Sequence, residues 1–233
     1  MKLLALQIAM MFAVAGVLCA NDPTPTSLTR TEIAEVRQQL EVYEKGEVTY
    51  KELTHTPEQG KKVIAYYLSN TNAVTVKMKL PISRNFIGLG KLPEAARLAQ
   101  EYVNVYSNDW RGWSILGGAK IGMKSYDEAL VALTNAAKLG DKDNYASLGV
   151  VALAVGRYDI VRTMVVPRLL VLKDAKPSDE VDKYQVIAVL VSYALKTDEQ
   201  KIYVKALEGV SAKDILARDD LKQLVTADST PNE

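Results

Sequence analysis

An all-α fold of helix-turn-helix units is what this sequence predicts, and three observations predict it. Helix starts and stops alternate along most of its 233 residues, with capping residues before apolar runs and glycine after them. Only one run, "TNAVTVKMKL", alternates like a strand through Val74, Val76, Met78 and Leu80, and no second run is available to pair with it, so it reads as loop or helix. The helix pairs also resemble one another: Gly90 and Lys124, Leu92 and Tyr126, Ala95 and Ala129, and Ala99 and Leu133 are all separated by one and the same interval. Hydrophobic residues make up 48% of the chain, enough for a packed core.

The elements follow in order. Thr29 and Glu32 form a capping box, an amphipathic run follows, and Gly46 stops it. Thr56 is the next N-cap, with Pro57 at the first helical position and Gln59 completing the box. A helix from about Pro81 to Leu89 ends in a turn at Gly90, and Pro93 opens its partner. Ser107, Asn108 and Asp109 cap a helix from Trp110 to Gly122. Ser125 and Glu128 make a further capping box for the helix that Gly140 closes. Asp141 to Asn144 start the next helix, and Gly156 turns it into "YDIVRTMVV", which Pro167 is expected to kink or end. Two more helical runs span 177–196 and 197–210. A last helix over 211–225 precedes a loose tail, 226–233.

"WSILGGAKIGMKSYDEALVALTNAA", residues 113–137, places Gly117, Gly118 and Gly122 inside a helix, where each costs roughly 1 kcal/mol against alanine. The spacing offers a reason. Leu116-Gly117 recurs as Leu148-Gly149, and Tyr126 recurs as Tyr158 at the same slightly shorter interval. Gly117 and Ala129 are small so that two helices of one unit can approach, and Gly156 is free to take positive φ in the turn. Gly118 and Gly122 lie on another face.

At these residues the chain resembles the tetratricopeptide repeat (TPR), a helix-turn-helix unit of about 34 residues, the interval between Gly90 and Lys124. Trp113, Leu116, Gly117, Tyr126, Ala129, Leu133 and Ala136 follow the family's order of aromatic, Leu-Gly, then aromatic, small, large and small residues. Tyr145, Leu148, Gly149, Gly156 and Tyr158 follow it again, and Phe86, Gly90, Leu92, Ala95 and Ala99 keep part of it. The resemblance is fullest over 113–158. Lys120 replaces the usual first-helix aromatic, two residues are missing before Tyr145, and Ser107 and Asp141 stand where the family often has proline. The resemblance implies a helical solenoid over 81–225, with N-terminal helices before it.

The first twenty residues have another character. Lys2 is the only charge, Leu3 to Val17 are apolar except for Gln7, and small residues follow, the layout of a secretory signal peptide. Cleavage after Ala20 leaves a mature chain starting in the polar leader at Asn21. Cleavage after Ala15, with Ala13 at the other recognition position, is a second possibility, and an uncleaved membrane anchor a third. Segment 1–20 is therefore the expected signal, 21–80 the leader and first helices, and the protein an exported one, periplasmic or extracellular. Cys19, the only cysteine, follows Leu18 rather than the small residue a lipidated cysteine needs, and it leaves with the signal.

Composition argues against several functions. Without the signal, 28 basic residues balance 28 acidic ones, so there is no field for nucleic acid. His55, the only histidine, precedes an N-cap and has neither a nucleophile motif nor cysteines beside it. "GLGK" at 88–91 lacks the spacing of a phosphate loop. The pairs Asp179-Glu180 and Asp219-Asp220 suit helix starts or solvent faces. No enzyme activity, metal or cofactor is expected. Repeat stacks bind partners on an extended concave surface. The TPR resemblance places that surface on the first helix of each unit: Arg84, Ile87 and Gly88; then Ser114, Gly118, Ile121 and Gly122; then Ala146, Val150 and Leu153. Ser114, Gly118, Ala146 and Val150 have no group to grip a chain-terminal carboxylate. The expected ligand is an apolar helix or extended segment of a protein, and the expected role an adaptor or scaffold in a bacterial envelope assembly. In the alternative, the groove holds a second copy or the chain's own helix at 57–69, with Val63, Tyr66 and Tyr67.

Overall fold

The computed structural model describes residues 27–46, 56–141, 144–174 and 183–210. The expected signal with Cys19, His55, the helix over 211–225, both acidic pairs and the tail lie outside the described residues. Those described form an all-α protein with no strand among them. They divide into two compact units, one ending at Asp141 and one from Asn144 onward.

In the first unit, α1 (Arg30–Lys45) carries the predicted capping box. Thr29 Oγ1 accepts from Glu32 N at 3.3 Å, and Glu32 Oε2 accepts from Thr29 N at 3.0 Å. That backbone bond, with Lys62 and the Thr29 hydroxyl beside it, holds the Glu32 carboxyl down to about 2. Gly46 closes the helix at φ 83. Helix α2 (Pro57–Ser69) starts on Thr56, whose hydroxyl accepts from Gln59 N at 3.2 Å. "TNAVTVKMKL" is a short 3-10 turn (Thr71–Ala73) and a loop running into α3. Then come α3 (Lys79–Gly88), α4 (Leu92–Val105), α5 (Trp110–Gly122) and α6 (Tyr126–Lys138), each packed on the helix before it. The core joins Leu40, Ile64, Phe86, Leu98, Tyr102 and Leu116, with Tyr67 edge-on to Phe86 at 5.9 Å.

The second unit contains α7 (Tyr145–Ala154), α8, α9 (Lys183–Thr197) and α10 (Gln200–Leu207). Helix α8 is composite: Tyr158–Ile160, a π-helical turn Val161–Val165, then Val166–Asp174. Pro167 therefore does not end the helix, as the sequence suggested it could. A proline ring crowds the carbonyl four residues back and offers no N–H. The wider π turn, closed by Val166 N to Val161 O, comes just before it and accommodates both defects.

Four of the helix-to-helix turns are built alike. Gly90, Lys124, Gly156 and Asp198 take φ of 69, 60, 73 and 57°. The next residues, Lys91, Ser125, Arg157 and Glu199, take φ/ψ of −85/66, −84/68, −86/65 and −87/72°. Each of these donates its N–H to a carbonyl five residues back, Phe86, Lys120, Ala152 or Ala194, at 2.8–3.1 Å. The first three turns keep the intervals read from the sequence, and the fourth comes after a longer one.

This turn overrides the predicted Ser125–Glu128 capping box. Ser125 makes no side-chain cap bond. Its N–H is committed to Lys120 O, and its ψ of 68° is far from the extended backbone that a capping side chain requires. Glu128 instead pairs with Lys120.

The α4–α5 connection is held by a polar cluster. Asp109 caps α5 by accepting from Arg111 N at 3.0 Å and takes the Arg111 fork at 2.8 and 2.6 Å and the Tyr102 hydroxyl at 2.6 Å. Burial pushes the Asp109 carboxyl up, but the bonds from Arg111 and Tyr102 outweigh it and hold the carboxyl below its ordinary value. Burial, and then Asp109, push the Tyr102 hydroxyl up. Asp109→Ala is expected to cost about 2–4 kcal/mol, the sum of a lost cap and charged partners left unpaired. Urea unfolding followed by Trp110 and Trp113 fluorescence reads it, and a shift under about 0.5 kcal/mol would refute the role of the cluster.

Candidate protein-binding surface

Helix α5 has glycines on opposite sides for different reasons. A Cβ on Gly112 would sit 2.6 Å from Tyr102 Cδ1 and 2.7 Å from Val103 Cγ1 of α4. A Cβ on Gly117 would sit 2.6 Å from Leu133 Cδ2 and 2.7 Å from Leu133 Cγ of α6. These two glycines let α4 and α6 close on α5. Ala129, expected opposite Gly117, lies one turn before Leu133 on α6 and is fully buried. The second unit repeats the contact in register. A Cβ on Gly149 would meet Val165 Cγ1 at 2.9 Å, and Val165 follows Leu133 by the same interval as Gly149 follows Gly117. Val189 of α9 closes the other side, 2.6 Å away.

Gly118 and Gly88 are different. A Cβ on Gly118 would meet only Ile87 Cδ1, at an ordinary 3.8 Å, and one on Gly88 would meet nothing within 4 Å. Neither has positive φ. Helices α3 and α5 lie in contact, and Ile87 comes up against Gly118, with Gly88 next to Ile87 on α3. Arg84 stands one turn before Gly88 and Ser114 one turn before Gly118, each on the same helix face. Arg84 and Gly88 are exposed, and Ile87, Ser114, Gly118 and Gly122 are half-buried. Ile121 is buried at 5% exposure and so lies under the strip, not on it.

The third row of the predicted surface is not accessible. Ala146, Val150 and Leu153 are 5, 3 and 3% exposed. Helix α7 is apolar on every side, and such a helix is buried all round. That signal was in the sequence, where Ser147 is the only residue of Tyr145–Ala154 with a side chain that is neither apolar, aromatic nor glycine. The repeat pattern, which assigns one open face to every first helix, hid it.

Nor does α2 cover the strip at Gly88 and Gly118. Its Val63, Tyr66 and Tyr67 are buried in the core, and the Tyr67 hydroxyl accepts from Arg97 of α4 at 2.8 Å. A shallow basin of about 680 Å³ opens on the α4–α5 connection, lined by Val105, Tyr106, Trp110 and Arg111 among others. Among the described residues no three His, Cys, Asp or Glu side chains gather as a metal site, and no helix is long and apolar enough to cross a membrane. No family profile matches the chain, and no curated protein matches it.

Proposed function

We propose that this chain is a TPR-like protein-protein interaction adaptor or scaffold, exported to serve a bacterial envelope assembly. Gly88 and Gly118 carry the reading. Helical glycine costs about 1 kcal/mol against alanine, and neither packing nor backbone conformation asks for it at these two positions. A partner backbone passing close over the α3–α5 strip does ask for it. The like-built turns support the repeat class, and repeat arrays bind through their extended faces.

The test separates folding from binding. Gly118→Ala stabilises the protein by up to about 1 kcal/mol, while pull-down of a partner from envelope extract falls. Gly118→Gln stays folded and loses the partner. Unchanged binding in both variants rejects the strip, and loss of a light-scattering dimer instead of a heterologous partner identifies a second copy as the occupant.

Export has its own measurement. Intact mass of the natively secreted protein is expected to start at Asn21. A retained Met1 or a lipidated Cys19 refutes the localisation.

A further inference from the structure

The α4–α5 connection presents aromatic groups to solvent on a rigid frame. Its backbone is pinned at three points. Tyr106 N donates to Tyr102 O at 2.8 Å, Asp109 N to Tyr106 O at 3.1 Å, and the Trp113 indole to Ser107 O at 2.8 Å. The Tyr106 ring leans on Tyr102, with centroids 4.9 Å apart. Val105 and Tyr106 are nevertheless 60 and 38% exposed, and together with Trp110 they edge the basin described above.

The chain's two tryptophans stand three residues apart and differ. The Trp113 N–H is held by Ser107 O. The Trp110 N–H has no hydrogen-bond partner among the described residues and is not sealed from solvent. The Tyr106 hydroxyl and the Asn108 amide, both at the basin on exposed residues, have no such partner either. Charge does not mark the basin. Asp109 and Arg111, the acid and the base that line it, are forked to each other.

These properties discriminate between ligands. A neutral surface selects neither an acidic nor a basic segment. Exposed rings suit apolar groups laid flat on them. Unbonded donors ask for acceptors. A proline-rich segment in the polyproline II conformation offers flat apolar rings and carbonyls that no internal hydrogen bond uses. It is extended before it binds, so docking costs it little freedom. A helical ligand fits less well, because its carbonyls are already bonded within the helix.

We infer that the basin at the α4–α5 connection binds a proline-rich, extended segment of a partner protein. Tyr106 and Trp110 lie against its rings, and the Trp110 N–H donates to one of its carbonyls. The inference goes beyond the Gly88–Gly118 strip and does not depend on it, since Gly118 lies two turns, about 12 Å, along α5 from Trp110.

The probe is a capped hexapeptide of Pro-Pro-Ala repeats, about 19 Å long as polyproline II. A Gly-Gly-Ala hexapeptide is the control. Proton–nitrogen NMR spectra of the full chain follow the two indole N–H signals, assigned with Trp110→Phe. The proline peptide is expected to move the Trp110 signal, to leave the Trp113 signal in place, and to bind about tenfold tighter than the control. Trp110→Phe keeps a ring and removes the donor, and weakens binding about fivefold. Its urea midpoint stays at the wild-type value, because the lost N–H has no partner in the fold. Tyr106→Ala weakens binding about tenfold. Gly118→Gln changes it by less than about twofold.

Equal binding of the two peptides overturns the proline-rich class. Binding lost in Gly118→Gln but kept in Trp110→Phe puts the peptide on the strip and overturns the basin. A neutral oligosaccharide such as cellohexaose that moves the Trp110 signal, where the peptide does not, makes the basin a saccharide site and overturns the inference. A light-scattering dimer lost in Tyr106→Ala makes a second copy the occupant, with the same consequence. A Trp110 signal that no probe moves overturns the basin and leaves the strip untouched.

Discussion

Ala129→Arg is expected to destabilise the protein by about 4 kcal/mol, the largest effect of any single change proposed for it. Ala129 is fully buried on α6, one turn from the Leu133 side chain that fills the space over Gly117. An arginine there forces a long side chain into a close-packed contact and takes a charge out of water without a partner. The control is Val131→Arg on the same helix. Val131 is 61% exposed, so the same chemistry is expected to stay within about 0.5 kcal/mol. Equal urea midpoints for the two variants would sink the register that puts Ala129 inside.

Gly117→Val should follow closely, at about 3 kcal/mol. The new Cβ alone would lie 2.6 and 2.7 Å from two atoms of Leu133, and 3.5 Å from its backbone nitrogen. Leu133 Cγ is not the free end of a flexible chain, so α5 and α6 must move apart. The adjacent Gly118→Ala is expected to change stability in the opposite direction. Opposite signs at neighbouring residues, read in one urea series, test whether the two faces of α5 serve different purposes. A loss in both would mean that the open strip is packing surface after all.

Most helix limits were legible because they depend on local chemistry. The Thr29 box, the Thr56 cap with Pro57, the Asp109 cap and the left-handed glycines at 46, 90, 140 and 156 are each set within a few residues of chain. The errors arose where a neighbouring bond competed. Ser125 has the composition of a cap, but the preceding turn takes its backbone. Pro167 has the composition of a stop, but a π turn absorbs it. The interval from Gly90 marked Lys124 as an equivalent position but not its positive φ, and nothing marked Asp198, because neither side chain requires that conformation.

The candidate surface divides in the same way. Periodicity alone determined that the chain is helical, that its pairs recur, and that Arg84, Ile87 and Gly88 share a face, as do Ser114 and Gly118. Tertiary structure decided which of those faces stay open. Gly117 and Gly118 are identical in sequence, yet one meets Leu133 and the other meets space. Ile121, Val150 and Leu153 fit the stripe equally well and are buried. The reason is physical. Secondary structure follows from bonds and spacings within a few residues, whereas exposure depends on what distant residues bring to the other side.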